Sequence, residues 1–318
     1  MMCRSPFSRV TSLLAACSMA WLISLSARAG QAEEPSGTEK QEQAAAALEA
    51  QIQQATARAS DKRYLLEYRF QKGESLRMKV VQLVLMQTRV DGIDQTVESR
   101  SVSTRQWDIK DVDAEGNITF SHTIKQVSMW QKVTGKDEIR YDSTSDKKPP
   151  ETYRAIAEKL GRPLSTITMS AAGRVVKRQD QARQFDAGID SLVIPLPGKS
   201  VQPGDRWYTP EKLRIRTETG IYQAVQLRRV YQLEKVEAHV ATISITTQVL
   251  TPVDNPKIKS QIVQRLQDGS IRFDVARGRI ISRQLHLDQR VIGFNGPTSL
   301  VHYQARTREE ILKDAALE

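Results

Sequence analysis

Alternating apolar and polar positions dominate the chain, and the alternation is clearest in residues 269–292. Ile271 and Phe273 alternate with polar residues, a turn follows at residues 276–278, and a second alternating run includes Leu285. Period-two alternation on both sides of a glycine turn is typical of an antiparallel hairpin with one buried face. The sequence therefore predicts a mainly β protein built from antiparallel strands.

Part of this hairpin occurs twice. Residues 171–179 (AAGRVVKRQ) match residues 276–284 (ARGRIISRQ). A shorter echo pairs residues 112–114 (VDA) with residues 236–238 (VEA), in the same order relative to the hairpin. Internal similarity of this kind indicates a duplicated supersecondary unit. We expect two tandem lobes of curved antiparallel sheet, each with a helix.

One predicted strand of the first lobe, residues 76–90, is apolar on both faces. The apolar side chains in its middle are Val80, Val81, Leu83, Val84, Leu85 and Met86. A strand of this kind is usually covered on both sides. Either the second layer of an ordinary core or a cavity that holds an apolar ligand would supply the cover, and the sequence leaves both open.

Other elements of the first lobe are predicted from alternation and from the residues that begin and end helices. Residues 64–70 alternate as a strand, and residues 96–109 are polar enough for an edge strand. Proline at the start and glycine at the end predict a helix over residues 149–161. Trp130 falls on the same parity as Ile118, so it is predicted to lie in the core.

The chain divides into six predicted segments. Two Pro-Gly pairs suit type II turns and mark a linker between the lobes. The second lobe is expected to contain a short helix at residues 260–266, and a last helix is expected from Thr307 to Leu317. The segments are a signal peptide at residues 1–29, a disordered or helical spacer at 30–62, β-lobe 1 at 63–190, the linker at 191–204, β-lobe 2 at 205–306 and a C-terminal helix at 307–318.

The first 29 residues have the composition of a secretory signal peptide. A positively charged start and an apolar middle precede Ala27 and Ala29, which fit a cleavage site before Gly30. The apolar run is too short for a membrane span. A Leu-Ala-Ala-Cys run offers lipidation at Cys17 as an alternative, but the apolar run continues past it, which favours cleavage after Ala29. We expect an exported protein, periplasmic or extracellular.

Cysteine usage restricts the chemistry of the exported chain. Both cysteines, Cys3 and Cys17, lie in the predicted signal peptide. Once the signal is removed, disulfides, thiolate nucleophiles and cysteine-ligated metals are excluded together.

The basic charge bears on the choice of partner. The formal net charge is +10, and removal of the three arginines of the signal leaves +7. Basic and acidic residues are interleaved along the chain, which suits an evenly charged surface. An exported basic protein would meet lipid headgroups or another anionic envelope component, so we expect no nucleic acid partner. We also expect no integral membrane segment after signal removal.

Familiar catalytic motifs are missing from the sequence. The patterns of α/β serine hydrolases, zinc proteases, P-loops and dinucleotide-binding folds do not occur. His286 and Asp288 share one face of a predicted strand, which suits a solvent-facing pair better than a catalytic one. Asp111, Asp113 and Glu115 lack the spacing of a calcium loop and suit an acidic turn. No catalytic residue, metal site or cofactor is predicted.

Three short motifs resemble a group of exported bacterial β-proteins of unknown function. They are residues 201–207 (VQPGDRW), residues 273–280 (FDVARGRI) and residues 68–74 (YRFQKGE). The similarity covers residues 64–306 and consists mostly of turn chemistry. The resemblance implies export and an all-β fold, and it carries no catalytic residue over to this chain.

Three functions fit these observations. The first is a non-enzymatic envelope protein that binds an apolar or amphipathic ligand, such as lipid, inside a curved sheet. The second is a structural or interaction protein that docks on another envelope component. The third is a hydrolase without a recognisable motif, which no feature of the sequence selects.

Overall fold

The fold is seen in a computed structural model that describes residues 46–49, 62–180, 193–217 and 220–312. The chain divides into two compact units, residues 1–55 and 56–318. In the first unit, residues 46–49 are helical and exposed. The predicted signal peptide with Ala27, Ala29, Gly30 and Cys17, and nearly all of the predicted spacer, lie outside the described residues.

The second unit is built on one antiparallel sheet. Its strands are β1 (Ser75–Val90), β2 (Ile93–Val112), β3 (Ile118–Val133), β4 (Ile139–Asp142), β5 (Pro163–Met169), β6 (Val175–Asp180), β7 (Arg206–Arg216), β8 (Tyr222–Glu237), β9 (Val240–Val249), β10 (Asp268–Asp274), β11 (Arg279–Ile292) and β12 (Leu300–Ile311). Their order is β6-β5-β3-β2-β1-β12-β11-β10-β9-β8-β7, and β4 pairs with β3. The helices are α1 (Glu151–Ala157) and α2 (Pro256–Ile262), and a 3₁₀ turn, Val263–Arg265, follows α2.

The predicted mainly β, antiparallel fold is confirmed, whereas the two-lobe description is not. The two similar stretches both fall at hairpins, β5–β6 and β10–β11. However, β1 pairs with β12 from Met78 to Arg89, so the sheet continues without a free edge where the lobes would separate. Strand β2, predicted as an edge, lies inside the sheet between β1 and β3.

An extended segment, residues 64–70, runs across one end of the sheet and is called the strap here. Leu66, Tyr68 and Phe70 are buried, as the alternation predicts. The strap is not a sheet strand, because its ladder contact is an isolated bridge from Tyr64 to Val201. Its middle instead binds two turns of the sheet.

These two turns force the sheet to curve. The Tyr68 N–H donates to the Ala171 carbonyl at 2.7 Å, and the Arg69 N–H donates to the Gly278 carbonyl at 2.9 Å. Ala171 follows β5 and Gly278 precedes β11, and five strand-to-strand steps separate β5 from β11. In a flat sheet that separation would be about 24 Å. The two N–H groups belong to residues whose α-carbons are only about 3.8 Å apart. The sheet must therefore curl around the strap.

The main core lies between the strap and the inner face of the curled sheet. Apolar residues from both halves of the sheet join one cluster with the strap, including Trp107, Phe120 and Phe273. Residues 193–201 run beside the strap, and the Tyr68 hydroxyl accepts a hydrogen bond from the Ile194 N–H at 3.0 Å. The predicted linker is thus partly core, because Val193, Ile194, Leu196 and Val201 are all buried.

Two short helices complete the second unit. Helix α1 follows Pro149 and Pro150, as predicted, and packs through Tyr153 against β3 and β4. Helix α2 packs through Ile258 and Ile262 against β7 and β8. It begins four residues before the predicted start, since Asn255 caps it by accepting from the Lys257 N–H at 2.8 Å.

Two sequence predictions are wrong for physical reasons. Residues 307–311 belong to β12 and not to a helix, because they pair with β1 and residues 307–310 also pair with β11. Residues 313–318 lie outside the described part of the chain. Trp130 is not in the main core, because a bulge at Lys125 reverses which parity of β3 faces inward.

We expect Gly278→Ala to lower the free energy of unfolding by about 3 kcal/mol. An alanine is strained at a positive φ, and its Cβ would also overpack against the strap. Gly278 has a φ of +64°, and an added Cβ would lie 2.6 Å from the Arg69 nitrogen and the Glu67 oxygen of the strap. Gly116→Ala is the control, since its φ is +79° with no atom within 4 Å of the added Cβ. Urea unfolding should show a loss of about 1 kcal/mol there. Equal losses in the two variants would contradict the role given to the strap.

Candidate ligand-binding site

The inner face of the sheet continues beyond the core toward the β1–β2 turn and forms a groove. This groove, called the inner trough, is defined by six residues on three adjacent strands: Val84 and Met86 on β1, Ser99 and Ser101 on β2, and Tyr303 and Ala305 on β12. Ala305 is buried and the other five are half-buried. Helix α1 covers β3 and β4 on one side, and α2 covers β7 and β8 on the other. The trough lies between these two covered regions.

Small side chains leave room above the floor of the trough. Ser99, Ser101 and Ser103 occupy successive inward positions of β2, and Ala305 lies across from them beyond β1. Gln82, next to Ser101, is exposed although it faces inward. The trough is thus open to solvent at Gln82 and apolar at Val84 and Met86. Burial raises the pKa of the Tyr303 hydroxyl at its edge.

Charged side chains lie at the inner end of the trough. Arg283 on β11 and Glu309 on β12 form an ion pair with only 5% and 4% of their side chains exposed. Arg105 on β2 is the next inward residue after Ser103, and its Nε lies 3.4 Å from the Ser103 Oγ. Burial lowers the pKa of Arg105, and the neighbouring Glu309 opposes that shift.

Polar groups without partners lie deeper still on the inner face. His122 is fully buried, and it pairs across the sheet with Trp107 and Ser165. Among the described residues, neither ring nitrogen of His122 has a hydrogen-bond partner, and the same holds for Trp107 Nε1 and Ser165 Oγ. Burial lowers the pKa of His122 to about 3, with Arg105 adding to the shift, so the ring is neutral at physiological pH.

His286 and Asp288 face solvent, as predicted, and they do not bond each other. Both side chains are exposed on β11, and Asp288 instead bonds His302 Nε2 at 2.6 Å and Gln304 Nε2 at 2.7 Å. The His302 imidazole holds the pKa of the Asp288 carboxyl below its usual value. This arrangement is a surface contact between neighbouring strands.

The acidic residues at the β2–β3 turn serve the turn itself. Asp113 accepts from the Asn117 side-chain amide at 2.9 Å, from the Asn117 N–H at 2.8 Å and from the Glu115 N–H at 3.0 Å, and these hydrogen bonds lower the pKa of its carboxyl. Asp111 bonds Lys72 at 3.1 Å. Within the described ranges, no group of three or more His, Cys, Asp or Glu side chains is arranged to hold a metal ion.

Two pockets lie outside the trough. One of about 200 Å³ is lined by Tyr64, Val236 and His239 near the strap. The other, of about 480 Å³, lies beside β4 and is lined by Trp130, Arg140 and neighbouring polar residues. Neither pocket is lined by the Arg283–Glu309 ion pair, by Arg105 or by His122, so the trough is the better candidate site.

The outer face of β1 is also apolar and incompletely covered. Val81 and Leu85 are half-buried, and Leu83 is 43% exposed. Arg100 on β2 and Arg306 on β12 lie across from Leu83, and both are exposed. The prediction that this strand is covered on both sides is therefore wrong.

Sequence reasoning identified the apolar strand but missed the charged end of the trough. Arg105, Arg283 and Glu309 lie on three strands and are 26 to 204 positions apart in sequence. Their only sequence signal is that each occupies an inward position of an alternating strand. That position depends on the strand register, which a single sequence does not provide.

Comparisons with known proteins identify no family. No protein family matches the chain, and none of the curated proteins matches it. None of the helices in the described part of the chain is long and apolar enough to cross a membrane.

Three solved structures show a weak likeness in fold. A structure on lipid–protein interactions in lipovitellin has a TM-score of 0.45 and 14% identity, over 79% of this chain and 26% of that one, so this chain spans about a quarter of it. The translocator domain of autotransporter NalP from Neisseria meningitidis has a TM-score of 0.28 and 6% identity, and the match covers 85% of this chain and 97% of that one. A lipoprotein-sorting protein domain from Vibrio parahaemolyticus has a TM-score of 0.13 and 11% identity, and the match covers 76% of this chain and 87% of that one. All three scores are below 0.5 and carry no argument about function.

The neutral state of His122 predicts a specific loss of stability in acid. The folded pKa is about 3 and the unfolded value is 6.5, so the unfolded chain binds a proton that the folded chain excludes. Stability contributed by the neutral ring is complete above pH 6.5 and falls as the pH drops toward 3. At pH 5 the loss is about 2 kcal/mol. Unfolding of His122→Gln, measured from pH 7 to 4, should lack this component. A variant with the same pH slope as the wild type would contradict the burial of a neutral ring.

Proposed function

We propose that this chain is an exported, non-enzymatic binding protein that holds the apolar part of an amphipathic ligand, such as a lipid, in the inner trough. The observation that carries the proposal is the incomplete cover of Val84 and Met86 on the inner face of a curved sheet. A side chain in an ordinary core would be buried by the second layer.

The dimensions of the trough support an extended acyl chain. From Met86 to Val80 the inner face of β1 extends over six residue-to-residue steps, or about 20 Å at strand spacing. Each methylene that leaves water contributes about 0.8 kcal/mol, so six buried methylenes contribute about 5 kcal/mol. The small serines of β2 leave space for the acyl chain. Because they are polar, they do not expose additional apolar surface to water when no ligand is bound.

Export supports an amphipathic ligand of the cell envelope. The composition of residues 1–29 predicts a secretory signal, and the exported chain keeps a net charge of +7. A basic protein outside the cytoplasm is drawn toward anionic lipid surfaces, where lipids are available as ligands.

Filling the trough should abolish binding. Ser99→Trp places a large ring on the floor of the trough, and we expect it to weaken binding of the neutral apolar probe N-phenyl-1-naphthylamine at least tenfold. Tenfold is about 1.4 kcal/mol, less than two buried methylenes contribute. The readout is fluorescence titration of the purified protein.

The matched control is Glu98→Trp, the neighbouring position on β2, which is exposed on the outer face. It should bind the probe as the wild type does, and circular dichroism should show both variants folded. A wild type that does not bind the probe, or a Ser99→Trp variant that binds it normally, would refute the trough as the site.

The outer face of β1 favours a second candidate function, docking on an anionic lipid surface. Leu83 is exposed between Arg100 and Arg306, an apolar side chain flanked by two cations. Apolar insertion combined with basic flanks is the usual basis of peripheral binding to anionic membranes.

Docking of this kind would depend on both Leu83 and charge. We expect the protein to float with phosphatidylglycerol vesicles at low salt, and Leu83→Asp to reduce the affinity about tenfold, by loss of roughly 1.5 kcal/mol of apolar burial. High salt should also release the protein. Ile93→Asp, which changes an exposed apolar residue near the β1–β2 turn, is the control. Equal binding to neutral phosphatidylcholine vesicles would exclude this second function.

A further inference from the structure

Arg105 is directed toward the inner trough from its buried end. It follows Ser101 and Ser103 on the inward side of β2, and its Nε lies 3.4 Å from the Ser103 Oγ. The guanidinium therefore runs back along the strand toward the trough. A group at the inner end of the trough would meet this side chain first.

The charges around Arg105 do not balance. Arg283 and Glu309 neutralise each other in their buried ion pair. Among the described residues, Arg105 makes no ion pair within 4 Å, although it is close enough to Glu309 and Arg283 to interact with both electrostatically. An arginine keeps its charge in proteins, so the inner end of the trough carries about one excess positive charge. Arg105 is half-buried. A charge partly withdrawn from water without a partner is costly, so an anion supplied by a ligand would relieve that cost.

Hydrogen-bond donors lie beside the same charge. Trp107 is the next inward residue on β2 after Arg105, and it pairs with His122, the ring whose pKa responds to Arg105. The indole Nε1 and one nitrogen of the neutral imidazole are buried donors without a partner among the described residues. Buried polar groups in proteins are normally satisfied by protein, water or ligand.

We propose that Arg105 binds the anionic head of the amphipathic ligand, and that the ligand is a single-chain carboxylate or phosphate with its acyl chain in the inner trough. This inference rests on the proposed function and adds the class and orientation of the ligand. The chain lies over Val84 and Met86, and the head lies at Arg105, with Ser103 beside it. Guanidinium groups suit carboxylate and phosphate equally, through paired N–H donors.

A matched pair of probes tests the head separately from the chain. The fluorescent fatty acid cis-parinaric acid and its methyl ester share one polyene chain and differ in the charge of the head. We expect the wild type to bind the acid at least tenfold more tightly than the ester, since a hydrogen bond to a charged group stabilises by about 1.5 kcal/mol or more. Competition by hexadecanoate and by hexadecyl phosphate then shows which anion is preferred.

Three variants assign the preference to Arg105. Arg105→Met should lose the tenfold preference and bind acid and ester alike, whereas Arg105→Lys should keep most of it. Arg272→Met is the matched control, because Arg272 is exposed on the outer face of β10, away from both proposed binding surfaces, and it should behave as the wild type does. If Arg105→Met does not fold, the acid-over-ester preference can still be measured in the wild type and in Arg105→Lys, and these two measurements test the head site.

The outcomes separate this inference from the proposed function. Equal binding of acid and ester by the wild type would overturn the head site and leave the trough as the acyl site. An acid preference that survives in folded Arg105→Met would also overturn it. Failure of both probes to bind would overturn the trough itself and the head site with it.

Discussion

The attachment of two distant turns to adjacent residues of one strap determines the curvature of the sheet. Tyr68 and Arg69 bind the turns at Ala171 and Gly278, which would be far apart in a flat sheet. The strap therefore fixes the curvature at one end, and the apolar residues of both halves of the sheet meet around it. Gly278 is needed because any side chain there would collide with the strap backbone. Away from the strap, the described residues provide no second layer over the inner face between the two helices, and that uncovered region is the trough.

The inner face changes in character along its length, and this gradient gives the site its chemistry. Near the strap the side chains are buried and mostly apolar, with the polar His122 and Ser165 among them. A polar layer follows, with the Arg283–Glu309 pair and Arg105. Burying such charges contributes little to stability unless each has a partner, so a layer with one excess cation suggests a binding role. The half-buried apolar floor lies beyond it. An anionic amphiphile matches this order of environments from head to tail.

The strands could be predicted from alternation because most of them have one buried and one exposed face, as in β10 and β11. Alternation predicted that the strap is extended and which of its side chains are buried. It did not predict that the strap lies outside the sheet, because that depends on where the distant turns at Ala171 and Gly278 lie. Trp130 was assigned to the wrong face because one bulged residue, Lys125, reverses the parity of β3 and leaves no mark in the composition. The site could not be predicted at all, since β1 and β12 meet across more than 200 positions of sequence. Neighbours that depend on such long-range register, such as Leu83 and Arg306, are not encoded by local spacing.

The central claim is that the trough holds a lipid when the protein is in its native envelope. Native mass spectrometry of the wild-type protein, purified gently from the envelope fraction of its source, tests this directly. The account predicts one lipid-sized, anionic adduct for each chain, which organic solvent removes and which can be identified from the extract. A protein with the bare mass of the chain, which also takes up no added fatty acid, would contradict it.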